Sequence, residues 1–455
     1  MNTGLNIECI NIRFILPVML VFCTACSLGK KTDKTALETR FRFDFGSGKV
    51  EKGFTRVTPD VVYTSERGYG FYTGTAIKSV NRTGKNALTD DYCTADTPFY
   101  FSVKVPEGSY EVVITFGDRA GETSTTVKSE SRRLMLKDVA TTPGAFVRKT
   151  IAVNVRNKHI RPGLEVKLTS RETYHLNWDD RLTLEFDGGR PAVCAVEIRP
   201  AGNIPTVYLA GNSTVTDQQN EPWSSWGQML PCFFKPGVVI ANHAESGESL
   251  KRFSAEHRLE KIASTLKAGD YLLIQFGHND QKKQSSAYVA PFEGYQEQLR
   301  LYIGVARKAG AQPLLVTPVQ RRTFDAEGKI ENSHGDYPEA MRQVALEEGV
   351  PCIDLNAMSA QLFEALGPEA SKKAFVHFPA GAFPGQTEAL ADDSHFSTYG
   401  AYELAKCIVQ GIKTSESDLA RYLNDDLPAY DPAHPAPFET WSLPLSPLIP
   451  SVDRF

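Results

Sequence analysis

From Thr206 onward, five short apolar runs alternate with stretches of helical spacing, and that alternation leaves the chain few ways to fold. The runs are Thr206 to Ala210, Val238 to Ala244, Tyr271 to Phe276, Pro313 to Thr317 and Pro351 to Leu355. Between them, Leu259, Ile262, Ala263 and Leu266 share one helical face, as do Leu299, Tyr302, Ile303 and Ala306. Strands that are apolar throughout need cover on both faces, and amphipathic helices supply it. The expected architecture over 205–413 is a three-layer α/β/α sandwich on a five-stranded parallel sheet.

Upstream the pattern differs. Over 41–200, short alternating segments such as Phe99 to Val105, Tyr110 to Phe116, Arg148 to Val155 and Arg181 to Phe186 are punctuated by Pro106-Glu107-Gly108 and Asp187-Gly188-Gly189. This predicts an all-β sandwich of the jelly-roll kind. Residues 1–25 read as an export signal with the apolar run Ile10 to Phe22, and the small residues before Cys26 suit a lipidated cysteine. A lipoprotein is expected, in the periplasm or attached to the outer membrane, with plain secretion as the alternative. Residues 26–40 make a tether, and 414–455 a proline-rich tail running over the surface as coil.

Fifty basic residues against 54 acidic ones, a net charge of -4, carry no electrostatic footprint for nucleic acid. Membrane association is expected only through the lipid anchor. Beyond the signal and Cys26 the cysteines are Cys93, Cys194, Cys232, Cys352 and Cys407. They form no CxxC pair, so no metal site and no cofactor are expected. Cys93 and Cys194 share a predicted domain and are the candidates for a disulfide, whereas Cys352 reads as a buried thiol.

Polar residues collect where the predicted strands end, which is where an open α/β sheet gathers its functional groups. Gly211-Asn212-Ser213 follows the first strand, Ala244-Glu245-Ser246-Gly247 the second, Gly277-His278-Asn279-Asp280 the third, and Asp392-Asp393-Ser394-His395 precedes the last helix. Each motif alone is an ordinary turn or cap. Together they place a nucleophile, backbone donors, an amide donor and a carboxylate-oriented imidazole at one edge. His278, His334 and His377 lack paired metal-ligand spacing and read as polar or substrate-facing. Arg321 and Arg322, just after the fourth strand, suit either uronate carboxylates or solvent. Tyr63, Tyr69, Phe71, Tyr72 and Trp178 offer rings for stacking on sugars, core packing being the commoner role.

These four blocks, Ser213, Gly247, Asn279 and His395 in order, resemble the SGNH or GDSL-type hydrolase superfamily. Within it GNSTVTD, GHND, TPVQRRTF, HGDYPEAMRQVA and DDSHFSTYGAYELA are similar to rhamnogalacturonan acetylesterases, and Phe43-Asp44-Phe45-Gly46 with LTLEFDGGRPAVCAVEIRP resembles galactose-binding-like domains. The resemblance implies Ser213 as nucleophile, His395 as general base and Asp392 as its partner, with Asp393 the poorer fit. It implies an oxyanion hole of the Ser213 and Gly247 N–H groups with the Asn279 side chain. Arg321, Arg322, His334 and His278 are the expected substrate contacts, and acetylated pectic polysaccharide the expected partner. Two alternatives stay open: an acetylesterase on another glycan such as xylan, and a catalytically silent glycan-binding protein. Asn212 stands where the family usually has aspartate, and Glu248 where arginine is frequent.

Overall fold

The computed structural model describes residues 1 and 39–447, His175 excepted. The expected signal, Cys26 and most of the tether lie outside the described residues, and no described helix is long and apolar enough to cross a membrane.

The first part is a β-sandwich. One sheet runs in the order Phe146–Val155, Gly108–Gly117, Val193–Pro200, Phe41–Phe45 and Thr55–Val57, with Asp91–Thr94 and Lys78–Asn81 branching from it. The other orders Tyr69–Phe71, Phe99–Lys104, Arg181–Arg190, Thr123–Ser129 and Arg133–Thr141. Alternate residues of both sheets, among them Phe45, Phe101, Ile114, Leu184 and Val196, meet in one core. The aromatic residues divide between core and surface of the sheets: Phe71 is 1 % and Tyr72 5 % exposed, so neither presents a face to sugar.

Cys93 and Cys194 are free buried thiols. Cys93 lies opposite Val193 on the neighbouring strand and shares its face, so Cys194 points to the other side of the sheet. Side-chain alternation therefore rules out the disulfide.

The second part carries a parallel sheet in the order Val239–Asn242, Thr206–Gly211, Tyr271–Gln275, Gln312–Val316 and Cys352–Ile353. Val207, Leu209 and Leu273 face one apolar layer, which includes helices Leu355–Ala370 and Thr398–Thr414. Tyr208, Ala210 and Ile274 face the other, against Arg258–Thr265, Gln296–Lys308 and Tyr337–Glu348. The last strand is shorter than the run Pro351 to Leu355 implies, because the Asp354 side chain accepts from Ala357 N–H and opens the helix Leu355–Ala370. That helix, and an antiparallel hairpin of Phe375–Phe378 with Leu390–Phe396, lie where periodicity gave no signal.

The tail is more than surface coil. Tyr430 hydroxyl donates to Glu403 and Trp441 indole to Thr398 on the last helix, and the buried Lys128 of the sandwich donates to Pro444 O and Ser446 Oγ. It ties the two parts together.

The two parts belong to one compact unit, Glu38–Phe455. Leu134 of the sandwich lies within the hydrolase-side core. Beside it the Arg133 Nε and Nη2 donate to Asp217 Oδ2 at 3.1 and 2.9 Å, with both side chains essentially closed to solvent. Removing one partner from such a pair strands a buried charge. Arg133→Ala is expected to lower stability by about 3–5 kcal/mol, seen as a lower urea midpoint in a single transition. An unchanged midpoint would contradict this packing.

Candidate active site

Ser213 sits two residues beyond the first strand of the parallel sheet, in a turn closed by Val215 and Thr216 N–H donating to Asn212 O. Gly211 is needed there for space: a Cβ would fall 2.5 Å from Val215 Cγ2 and 3.1 Å from Gln275 O. Asn212 Oδ1 accepts from the Thr214 N–H and hydroxyl, which fixes the turn from beneath. Gln275, at the end of the third strand, donates to Thr214 Oγ1 and accepts from the Trp226 indole. Ser213 is thus held on a braced turn with 8 % of its surface exposed.

His395 reaches it from the hairpin. Phe375 pairs with Phe396 and the next residue, Val376, pairs with Asp392, so residues 393–395 loop out as a bulge. Within the bulge Asp392 Oδ1 accepts from Ser394 and His395 N–H, and Asp392 Oδ2 lies 2.7 Å from His395 Nδ1. His395 Nε2 lies 2.9 Å from Ser213 Oγ. Burial pushes the Asp392 carboxyl up, but the hydrogen bond and charge of His395 and the two N–H donors hold it well below the usual carboxylate range. It stays ionised and fixes the ring with Nδ1 protonated and Nε2 turned to the serine. Asp393 faces elsewhere, accepting from Arg322 Nη1 and lying 2.7 Å from His377 Nε2.

The loop after the second strand brings Gly247 alongside at φ +86, a conformation that L side chains rarely adopt. Among the described residues no acceptor takes the Ser213 or Gly247 N–H. Asn279 Nδ2 donates one hydrogen to Glu248 O at 2.8 Å, which orients the amide and leaves its second hydrogen for another acceptor. The three expected donors stand on three separate segments, each anchored on its own.

Of the four expected substrate contacts, none is a free surface group. His334 is 1 % exposed and its Nε2 lies 2.8 Å from Val319 O, so burial closes a sugar contact to it. His278 packs edge-on against it with centroids 4.4 Å apart, 5 % exposed, and neither ring nitrogen has a partner among the described residues. Burial holds both rings below their ordinary pKa, His334 at about 4, so they are neutral at pH 7. Arg322 spends its guanidinium on Asp393, Pro368 O and Ser371 Oγ, bracing the bulge. Arg321 reaches Ser333 O and His278 O at 3.3 and 3.4 Å.

Residues of the sandwich also reach the loops of the site, and of these Arg171 and Glu172 gave no sequence signal. Arg171 donates to Glu245 Oε1 at 2.7 Å and to Ser246 O, on the loop that carries Gly247. Arg258 donates to both Glu172 oxygens, and the Trp178 indole to Glu172 Oε1. Arg156 lies 4.4 Å over the Trp178 ring, and His243 of the hydrolase part packs edge-on against it with centroids 5.6 Å apart, so that tryptophan is an interdomain contact and not a sugar platform.

A serine, an imidazole and a carboxylate hydrogen-bonded in sequence at the carboxyl edge of a parallel sheet define the class: an α/β/α hydrolase of the serine type. Residues 209–400 match the GDSL-like lipase/acylhydrolase family, and residues 41–140 match the Beta-agarase/YXIM esterase-like, galactose-binding domain-like family. The chain belongs to the GDSL-like lipase/acylhydrolase family, with an N-terminal galactose-binding-like domain. It is 46 % identical over 209 residues to the rhamnogalacturonan acetylesterase RhgT of Bacillus subtilis, covering 46 % of this chain and 89 % of that one. An uncharacterised esterase of the same organism, YxiM, is 27 % identical over 411 residues, 88 % of this chain and 98 % of that one. A crystal structure of YxiM covers 82 % of this chain and 98 % of that one at 27 % identity and a TM-score of 0.42.

Glu248, next to Gly247, supplies a test of how the loop is held. Its side chain is fully buried, with Arg252 Nε at 3.3 Å and the Glu256 carboxylate and Arg258 guanidinium nearby, and burial above all raises the carboxyl from 4.5 to about 8. The folded chain therefore keeps a proton that the unfolded chain releases above pH 4.5. This contribution is present in full below that pH and is lost as pH rises to about 8. Replacing Glu248 by glutamine, which mimics the protonated acid, is expected to flatten the fall of the urea midpoint between pH 5 and 8. An equally steep fall in the variant would mean the carboxyl is ionised throughout.

Proposed function

We propose that this chain is a serine carbohydrate esterase that removes O-acetyl groups from pectic polysaccharide, most directly rhamnogalacturonan. The observation that carries the reading is the pair of contacts at His395, 2.9 Å to Ser213 Oγ and 2.7 Å to Asp392, on a chain 46 % identical over 209 residues to an enzyme named for that activity. The Ser213 oxygen attacks the acetyl carbonyl while its proton passes to His395 Nε2. The oxyanion is received by the Ser213 and Gly247 N–H groups and the free Asn279 hydrogen. Such donors contribute only as charge develops on that oxygen. Collapse returns the proton from His395 to the departing sugar oxygen and leaves an acetyl group on Ser213. A water deprotonated by the same nitrogen then releases acetate and restores the serine. Ionised Asp392 steadies the imidazolium in both halves.

Export as a lipoprotein through Cys26 belongs to the same reading, since a polymer this large is met outside the cytoplasm. Cys26→Ala is expected to move the protein from the membrane fraction to the soluble one.

Acetate release from acetylated rhamnogalacturonan, with acetylated xylan alongside, tests the activity. Release is expected from the pectic polymer, falling by roughly 10³-fold or more in Ser213→Ala and by about 10²–10³-fold in Asn279→Ala. Release from xylan alone would retain the serine mechanism and sink the pectin assignment.

A further inference from the structure

The β-sandwich carries a cleft of about 460 Å³ lined by Arg40, Arg42, Arg67, Arg148 and Arg199, and none of its lining residues belongs to the Ser213 site. Five guanidiniums in one concavity are not a reflection of composition, because the chain as a whole is acidic at -4. Pleating of the larger sheet accounts for the assembly. Arg42 lies opposite Glu197 on the neighbouring strand, Arg199 opposite Glu111 on the next, and Arg148 reaches Glu197 from the strand beyond.

Among the described residues Glu197 and Glu111 are the carboxylates that pair with Arg42, Arg148 and Arg199, while Arg67 donates to Val62 O and feels the charge of Asp60. Glu197 lies 3.5 Å from Arg42 Nε and 2.6 Å from Arg148 Nη2, and Arg199 Nε lies 2.9 Å from Glu111. One carboxylate shared between two guanidiniums pre-orders both without neutralising them. Arg42, Arg148 and Arg199 remain 61, 60 and 57 % exposed, so their outer edges face whatever enters the cleft. The wall also includes Tyr69, whose half-buried ring packs against Phe43 with centroids 4.9 Å apart and adds an aromatic group beside the charges. The volume falls in the range of small-ligand sites, about 300–1,000 Å³.

We infer that this cleft binds a carboxylate-bearing segment of the polysaccharide, so that the sandwich holds the acidic polymer while Ser213 acts on its acetyl groups. Guanidinium groups match carboxylates two bonds at a time, and an aromatic wall suits the sugar ring between them. Neutral glycans offer these arginines hydroxyl acceptors but no charge. The assignment of the polymer rests on the pectic reading above, but the cleft can be tested without turnover.

The test is binding of de-esterified polygalacturonate to the full chain carrying Ser213→Ala, with neutral galactan and phosphatidylglycerol vesicles alongside, at low and high salt. Polygalacturonate is expected to bind, more weakly as salt rises, and galactan not to bind. The pair Arg42→Gln and Arg148→Gln is expected to weaken binding about tenfold. Glu197→Gln, which frees both guanidiniums, is expected to tighten it about two- to threefold. In the wild-type background the arginine pair is expected to raise KM on the acetylated polymer several-fold and to leave turnover of a small acetate ester unchanged. Equal binding of galactan, unchanged affinity in the arginine pair, or weaker binding in Glu197→Gln would overturn the inference. So would vesicles that displace the polymer. Because Ser213→Ala cannot turn over, failure of the esterase reading leaves the binding result standing, and the reverse holds too.

Discussion

Asp217 is the point on which both halves of this molecule depend. Buried four residues beyond Ser213, it accepts from Arg133 of the β-sandwich on one oxygen and from Asn242 at the end of the second parallel strand on the other. A carboxylate closed to water is tolerable only when its lone pairs are met in this way. The segment that positions the nucleophile is therefore fixed jointly by the parallel sheet and by a domain that begins more than a hundred residues earlier. Nearby, Gln218 donates to Ser213 O while its own carbonyl accepts from Arg132 of the sandwich and from Gln228.

That dependence gives the β-sandwich a structural role regardless of what it binds. Its loop residue Arg171 holds Glu245 and Ser246 just before Gly247, and Glu172 meets Arg258 at the start of a hydrolase helix. Burial alone would raise the Glu172 carboxyl, yet the Arg258 guanidinium holds it below its ordinary value. The carboxylate therefore stays ionised in the folded chain. The nucleophile turn and the glycine loop thus share one buttress, and the distance between their donors is set by packing across the domain boundary.

Much of this was legible in the sequence, for identifiable reasons. Fully apolar runs and one-faced helices specify a parallel sheet and its two covering layers, and polar residues at strand ends are conspicuous because the runs before them are so uniform. Asp392 and His395 were visible as a local spacing, although the bulge that joins them depends on pairing with Phe375 and Val376, which no spacing reveals. Residue type says nothing of neighbours, as Arg322 and His334 show: the guanidinium is engaged by Asp393 and Pro368, and the imidazole is buried with its Nε2 against Val319 O. Arg171 and Arg133 were invisible, since their partners lie 74 and 84 residues away and the contacts exist only once two domains dock.

The proposed esterase chemistry turns on a covalent step at one oxygen atom, and trapping that intermediate tests it most directly. Full-length protein quenched with acid during turnover of acetylated rhamnogalacturonan, then digested and examined by mass spectrometry, should carry one acetyl group on Ser213. Asn279→Ala should carry less of it at the same time point, because the oxyanion forms less readily. Steady acetate release with Ser213 unmodified, or with the acetyl group on another residue, would contradict the mechanism and the placement of the active site together.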